Sequence, residues 1–215
     1  RKALFMSQEQ TKKHWEEVWS RKQPEETSWF QDQATISLEM IKRSGLSRSE
    51  SLIDVGGGAS SLTAGLLEAG YLDITVLDVS AAALRRAKKR LGRMAEKIKW
   101  IEADIRAFEA PRPYSLWHDR AVFHFLTEPA AQALYVRTLD RSVKPNGSLV
   151  IATFAPGGPK KCSGLDIVQH DAGSLQAVLG ANWRFLEEQI EVHKTPAGND
   201  QKFGFYRFER QNMQH

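Results

Sequence analysis

Residues 51–62, SLIDVGGGASSL, set three consecutive glycines between an apolar run and a serine-rich segment, with Asp54 two positions before the first glycine. An apolar run that stops at such a cluster reads as a buried strand breaking into a tight turn. Glycine there lets the backbone take left-handed angles and lets another group come close, since no Cβ stands in the way. A helix expected from about Ser60 to Ala69, closed at Gly70, would point its first N–H groups at the same place. A chain built this way needs the end of its first strand at an open rim.

The rest of the pattern agrees with that requirement. DITVLDV (73–79), IKWIEAD (98–104), YSLWHD (114–119) and SLVIATF (148–154) read as further strands, with helical stretches between them. One helix is expected to be capped by Ser80, and another by Thr127 with Pro129 in its first turn and an end near Arg141. Strand–helix alternation predicts a parallel sheet with helices on both faces. The C-terminus departs from it: EEQIEVHKT and QKFGFYRFER, separated by PAGND, read as an antiparallel hairpin. The expected fold is therefore α/β, a Rossmann-like seven-stranded mixed sheet of five parallel strands plus the C-terminal antiparallel hairpin. Residues 1–47 read as an N-terminal helical segment, with helices over 7–21 and 34–43, expected to serve as a lid. Residues 48–215 read as the ligand-binding domain, with a Gly- and Pro-rich loop over 155–171.

Composition narrows the function classes. Of 215 residues, 41% are hydrophobic, enough for a well-filled core. A single cysteine, Cys162, leaves no internal disulfide framework and no cysteine-clustered zinc site, which fits a reducing, cytoplasmic setting. No apolar run reaches membrane-spanning length, and no signal-peptide h-region is visible. The net charge is +4, and the basic stretch LRRAKKRLGR (84–93) reads as a solvated helix face rather than a nucleic-acid surface. No His/Asp/Glu set has metal-ligand spacing, so no metal is expected.

Asp78 ends the second strand, 20 residues beyond Gly58, and Asp104 ends the third. With Asp54 they put three carboxylates on one rim, where ligands of open α/β sheets bind. A carboxylate 20 residues past the glycines can accept from ribose hydroxyls. The dinucleotide fingerprint G-x-G-x-x-G fails at Ser61, whereas D-x-G-x-G-x-[GS] is complete over Asp54, Gly56, Gly58 and Ser60. An acid at position 54 would repel a pyrophosphate but attract the α-ammonium of S-adenosylmethionine, the favoured cofactor.

These motifs, with LWHDRAVFHFL and VKPNGSLVIATF, resemble the class I S-adenosylmethionine-dependent methyltransferases over roughly residues 51–210. The resemblance implies a sheet whose last strand is antiparallel. It implies that Gly56 and Gly58, with Gly57 between them, flank the methionine moiety. Asp78 and the adjacent Val79 would take the ribose, Asp104 and Ile105 the adenine, and Asp119 would lie near the methionine amino group and the acceptor. HDRAVFHFL is similar to a motif of thiopurine methyltransferase-like enzymes, which act on small molecules. HWEEVWSR…TSWF is similar to the start of protein-lysine methyltransferases, although those carry Asp-Lys-Gly where this chain has Asp119-Arg120-Ala121.

Methyl transfer from a sulfonium asks a protein mainly to align donor and acceptor. If the acceptor must lose a proton, His118 and His124 are the expected bases. Trp15, Trp19, Trp29 and Phe30, with Phe123, are the expected aromatic contacts to the acceptor. A small-molecule acceptor is expected, with protein lysine as the alternative. A NAD(P)-dependent reductase and a non-catalytic binding module of the same fold are the rivals from other classes.

Overall fold

The structure, a computed structural model, describes residues 6–21, 26–27, 30–195, 198 and 200–212. Strand β1 (Ser51–Val55) is the third strand of a seven-stranded sheet. Beside it on one side are β2 (Asp73–Asp78) and β3 (Ile98–Glu102), and on the other β4 (Tyr114–Arg120) and β5 (Val143–Phe154). These five run parallel. A two-residue pair, β6 (Lys161–Cys162) and β7 (Leu165–Asp166), forms a separate hairpin. The main sheet closes with β8 (Trp183–Lys194) and β9 (Asp200–Arg210), in the order β3-β2-β1-β4-β5-β9-β8. β9 is antiparallel to both β5 and β8. The expected mixed sheet is the one found.

Helices α2 (Thr35–Arg43), α3 (Leu62–Glu68) and α4 (Ala81–Leu91) pack over one face through Met40, Ile41, Leu66 and Leu84. Helices α5 (Pro129–Ser142) and α6 (Ala172–Leu179) cover the other through Tyr135, Leu139, Leu175 and Leu179. Helix α1 (Gln8–Arg21) sits against the start of α4, where Trp19 packs on Ala82 and Ala83. Each face thus buries its own apolar layer, and β1, buried along its whole length, separates the two.

Local signals explain most boundaries. Ser80 caps α4 by accepting from the Ala83 N–H at 3.1 Å, as its position predicts. Gly45 and Gly70, both at positive φ, follow the ends of α2 and α3. Three expectations are corrected. Thr127 does not cap α5: the helix starts at Pro129 with Glu128 at the cap position and no side-chain cap bond. The segment 155–171 is not featureless, since it contains the β6–β7 hairpin and leads into α6, which Asp171 and Ser174 start with a reciprocal capping box. β5 begins at Val143, opposite Tyr114, and its register with β4 slips before resuming at Leu116 and Ser148. Asn146, at φ 59, sits inside that bulge.

Gly204 in β9 is fixed by a neighbour two positions on. A Cβ there would overlap the Tyr206 hydroxyl and come within 2.7 Å of its Cε2. Tyr206 is fully buried and donates to the His170 carbonyl at 2.9 Å. Gly204→Ala is expected to displace that ring and lower stability by about 1–3 kcal/mol, read from urea denaturation.

Candidate active site

The turn after β1 is shaped by the protein's own side chains. Gly56 takes φ 72, and its N–H donates to the Leu77 carbonyl at 2.7 Å, tying the turn to β2. A Cβ on Gly56 would overlap Val122 from the loop after β4. On Gly57 it would overlap the Asp54 carboxylate, with Cγ at 2.6 Å. On Gly58 it would meet Asp78 Oδ2 and Ala83 Cβ, each at 2.7 Å. Each glycine therefore makes room for a different part of the rim. Gly57 and Gly58 lie behind the cavity wall, while Gly56 lines it.

The three expected acids meet around that turn. Asp54 is buried; its Oδ1 lies 2.7 Å from His118 Nδ1, and its Oδ2 has no hydrogen-bond partner. Asp78 accepts from the Gly58 N–H at 3.1 Å and the Ser80 N–H at 2.9 Å. Burial pushes its carboxyl up to about 6, partly offset by those two bonds, and the nearby Asp54 adds to the rise. Asp104 is held at Oδ1 by the Arg106 N–H at 2.9 Å and Nε at 2.8 Å, within a buried ion pair. The same guanidinium donates to the Met6 carbonyl at 2.8 Å and to Thr11 Oγ1 at 3.1 Å. Arg106 thereby joins the third acid to the N-terminal helix.

A cavity of about 390 Å³ opens over this rim. Its floor includes Asp54, Asp78, Val79, Asp104 and Ile105, all expected there. Its roof includes Trp15, Trp19 and Phe30, also expected, together with Phe125 and the β6–β7 hairpin. Trp29, expected in the same group, lies outside the described residues. His118 and Arg120 form the wall at the end of β4.

Besides Gly57 and Gly58, three expected site residues do not line the cavity. Asp119 points to the α5 face, where Oδ2 accepts from the Tyr135 hydroxyl at 2.7 Å and Oδ1 from the Val122 N–H at 2.9 Å. It does not line the cavity, because successive strand residues face opposite sides. Phe123 is packed on Tyr135 and His170 in the core. His124 is fully buried and stacked on Phe154 at 4.7 Å, away from the cavity. Burial lowers its imidazole to about 3, so it is neutral and packs as an aromatic. His118 is at the cavity, but both ring nitrogens are engaged, Nδ1 with Asp54 and Nε2 with Ser37 Oγ at 2.9 Å.

Sequence reasoning missed Ser37, Arg106 and Arg120. Arg106 had a signal, an arginine two residues after a rim acid; Ser37 had none. Ala121 stands where the similar lysine-methyltransferase motif has glycine. It takes φ 72, a left-handed angle that glycine adopts without cost and alanine does not.

A central glycine turn flanked by strand-end acids, on a sheet with one reversed strand, defines the class I S-adenosylmethionine-dependent methyltransferase architecture. Residues 52–147 match the family described as Methyltransferase domain. The chain is 29% identical over 124 residues to the trans-aconitate 2-methyltransferase of Azoarcus sp., covering 57% of this chain and 46% of that protein. It is 25% identical over 170 residues to the ubiquinone/menaquinone biosynthesis C-methyltransferase UbiE of Pectobacterium atrosepticum, covering 71% and 64%. The chain thus spans less than two thirds of either relative. Among solved structures, the N-methyltransferase NodS of Bradyrhizobium japonicum in complex with S-adenosyl-L-homocysteine superimposes with a TM-score of 0.69. That match has 18% identity and covers 92% of this chain and 98% of NodS. The match over residues 52–147, just under half of the chain, and the likeness to these methyltransferases support the class I S-adenosylmethionine-dependent methyltransferase superfamily. That architecture implies S-adenosylmethionine as cofactor, and the residues present fit it. Asp54 Oδ2 lacks a partner, and each Asp78 oxygen, already accepting one N–H, keeps capacity for a hydroxyl.

Two outcomes follow from this geometry. Gly57→Ala drives a methyl group into the Asp54 carboxylate, and is expected to lower stability by about 1–3 kcal/mol in chemical denaturation. Burial raises Asp119 from the ordinary 3.8 to about 6. Its folded form therefore holds a proton more tightly than the unfolded chain does. The resulting stability is complete below about pH 4 and is lost as pH rises through about 6. Denaturation midpoints from about pH 4 to pH 6.5 should fall more steeply for the wild type than for Asp119→Asn.

Proposed function

We propose that this chain transfers a methyl group from S-adenosylmethionine to a small-molecule acceptor held between the carboxyl rim of the sheet and helix α1. The observation that carries this reading is the buried, unpartnered Oδ2 of Asp54 beside a cavity whose floor also holds Asp78 and Asp104. A buried carboxylate oxygen left without a donor is costly, and a ligand ammonium offsets that cost where a pyrophosphate would add to it. Among the described residues, no helix is long and apolar enough to cross a membrane.

In this reading Asp54 receives the α-ammonium of the donor and Gly56 lets its methionine end approach. Asp78 with Val79 holds the ribose hydroxyls. Asp104 and Ile105 border the adenine, with Arg106 keeping the Asp104 carboxylate oriented. When bound, the donor supplies a methyl group activated on a sulfonium. The chain's own residues then contribute alignment and exclusion of water. Arg120 and His118 wall one side of the acceptor space, and the faces of Trp15, Trp19, Phe30 and Phe125 suit a flat or cationic molecule. Residues 1–47 act as the lid, fastened to the rim through Arg106.

The aromatic roof supports a small acceptor over a protein lysine. So do the relatives, one named for trans-aconitate and another for ubiquinone/menaquinone biosynthesis. Acceptors whose reacting atom already carries a free lone pair suit this site best, because neither histidine proposed from sequence offers a free ring nitrogen to the cavity.

Isothermal titration tests the reading directly. S-Adenosylhomocysteine is expected to bind with 1:1 stoichiometry, and NADH not to bind; the reverse result would sink the assignment. Asp78→Ala is expected to weaken S-adenosylhomocysteine by about 10–100-fold, the scale of hydrogen bonds to a charged group. Because Asp78 titrates near 6, affinity should fall as pH drops from about 7.5 to about 5, and Asp78→Asn should flatten that dependence.

A further inference from the structure

One buried chain of polar contacts is not used by the reading above. It runs from Ser37 in α2, through His118 in β4, to Asp54 in β1. Ser37 Oγ lies 2.9 Å from His118 Nε2, and His118 Nδ1 lies 2.7 Å from Asp54 Oδ1. The three residues are 1%, 2% and 1% exposed, respectively. β1 and β4 are paired in register at Asp54 and His118, so both side chains leave the same face of the sheet. Ser37 comes down onto that face from the helix above it.

The chemistry of the three groups sets the direction of the bonds. A carboxylate only accepts, so His118 Nδ1 carries the hydrogen that faces Asp54. In the neutral imidazole Nε2 is then an acceptor, and the Ser37 hydroxyl donates to it. Both ring nitrogens are thereby committed, and the imidazole plane is pinned at two points. One Asp54 oxygen is occupied by this ring. The other, Oδ2, lies against Gly57 with no partner.

We infer that Ser37 and His118 are positioning residues that hold the Asp54 carboxylate so that Oδ2 is reserved for the donor's α-ammonium. The inference rests on the cofactor assignment proposed above and assigns His118 a different task from a base acting on the acceptor. Ser37 keeps the ring from swinging across to Oδ2. His118 keeps the carboxylate from rotating to satisfy both oxygens within the protein. The sequence gives Ser37 no motif; only the packing of α2 on the sheet brings it to the site.

The test compares two ligands that share adenine, ribose and a thioether. S-Adenosylhomocysteine carries the α-amino acid end, and 5′-methylthioadenosine lacks it. Titrations of the wild type, Ser37→Ala and His118→Asn are expected to show S-adenosylhomocysteine weakened about tenfold in each variant. Methylthioadenosine affinity should stay within about twofold. In an Asp54→Asn background, adding His118→Asn should cause no further loss, because the residue through which it acts is already neutral. A readout without ligand comes from the His118 Nδ1–H proton. It should appear far downfield in the wild type and be broadened by exchange in Ser37→Ala.

Equal weakening of both ligands would reveal a merely structural role and overturn the inference, as would unchanged S-adenosylhomocysteine affinity in both variants. Additive losses in the Asp54→Asn background would do the same. If the wild type binds neither ligand, the cofactor assignment fails instead. In that event an Nδ1–H signal unaffected by Ser37→Ala removes the relay as well.

Discussion

Two carboxylates at the ends of adjacent parallel strands, Asp54 and Asp78, occupy the space that side chains on the intervening turn would need. Both are buried, they repel each other, and the rise of Asp78 to about 6 is partly a result. The fold tolerates this because Asp78 collects backbone N–H groups from the turn and from the start of α4, while Asp54 is bonded to His118. The turn therefore organises the acids, and the acids in turn fix its path. Asp104, the third rim acid, is paired with Arg106, so the charge at that end of the rim is balanced within the protein. The demand for a cation is concentrated at Asp54.

Strand β4 divides its neighbouring residues between two tasks. Leu116, His118 and Arg120 face the layer that holds α2, α3 and Phe203, and the latter two reach the cavity. Trp117 and Asp119 face α5, where Trp117 Nε1 donates to the Tyr135 hydroxyl at 3.0 Å and that hydroxyl donates to Asp119. This second network ties the strand to the helix layer and supports the turn that places Val122 against Gly56. A one-residue offset thus separates a group that orients the site from one that holds its scaffold.

Much of this was legible in the sequence, where local chemistry and periodicity point the same way. The strand–helix alternation, the C-terminal hairpin, the Ser80 cap and the three rim acids all rest on short-range patterns. What was not legible depends on packing or on offsets of one residue. Asp119, Phe123 and His124 stand in a motif beside the site, but strand alternation and the turn after β4 send them into the core. The bulge at residues 144–147 and the start of α6 arise from pairing and capping contacts that a Pro- and Gly-rich reading takes for loop. Ser37 lies on an ordinary amphipathic helix, and only its register above His118 gives it meaning. The purpose of the glycines changed most. Read from sequence, they clear a path for a ligand; in the structure, two of the three clear it for the protein's own acids.

That last point bears on how such a chain can change over evolutionary time. Gly57 is small because Asp54 is an acid of a given length, and Gly58 is small because Asp78 and Ala83 crowd it. Neither member of such a pair is free to drift alone: a larger residue at 57 becomes admissible only after position 54 shortens or turns away. The loop and the strand ends therefore form one interlocked block. The roof over the cavity, built from α1 and the β6–β7 hairpin, is tied to the rim by polar side-chain contacts instead, from Arg106 to Thr11, from Lys12 to Glu102 and from the Ala82 N–H to Glu16. Contacts of that kind can be exchanged singly, so the roof can be remodelled while the interlocked block beneath it stays fixed.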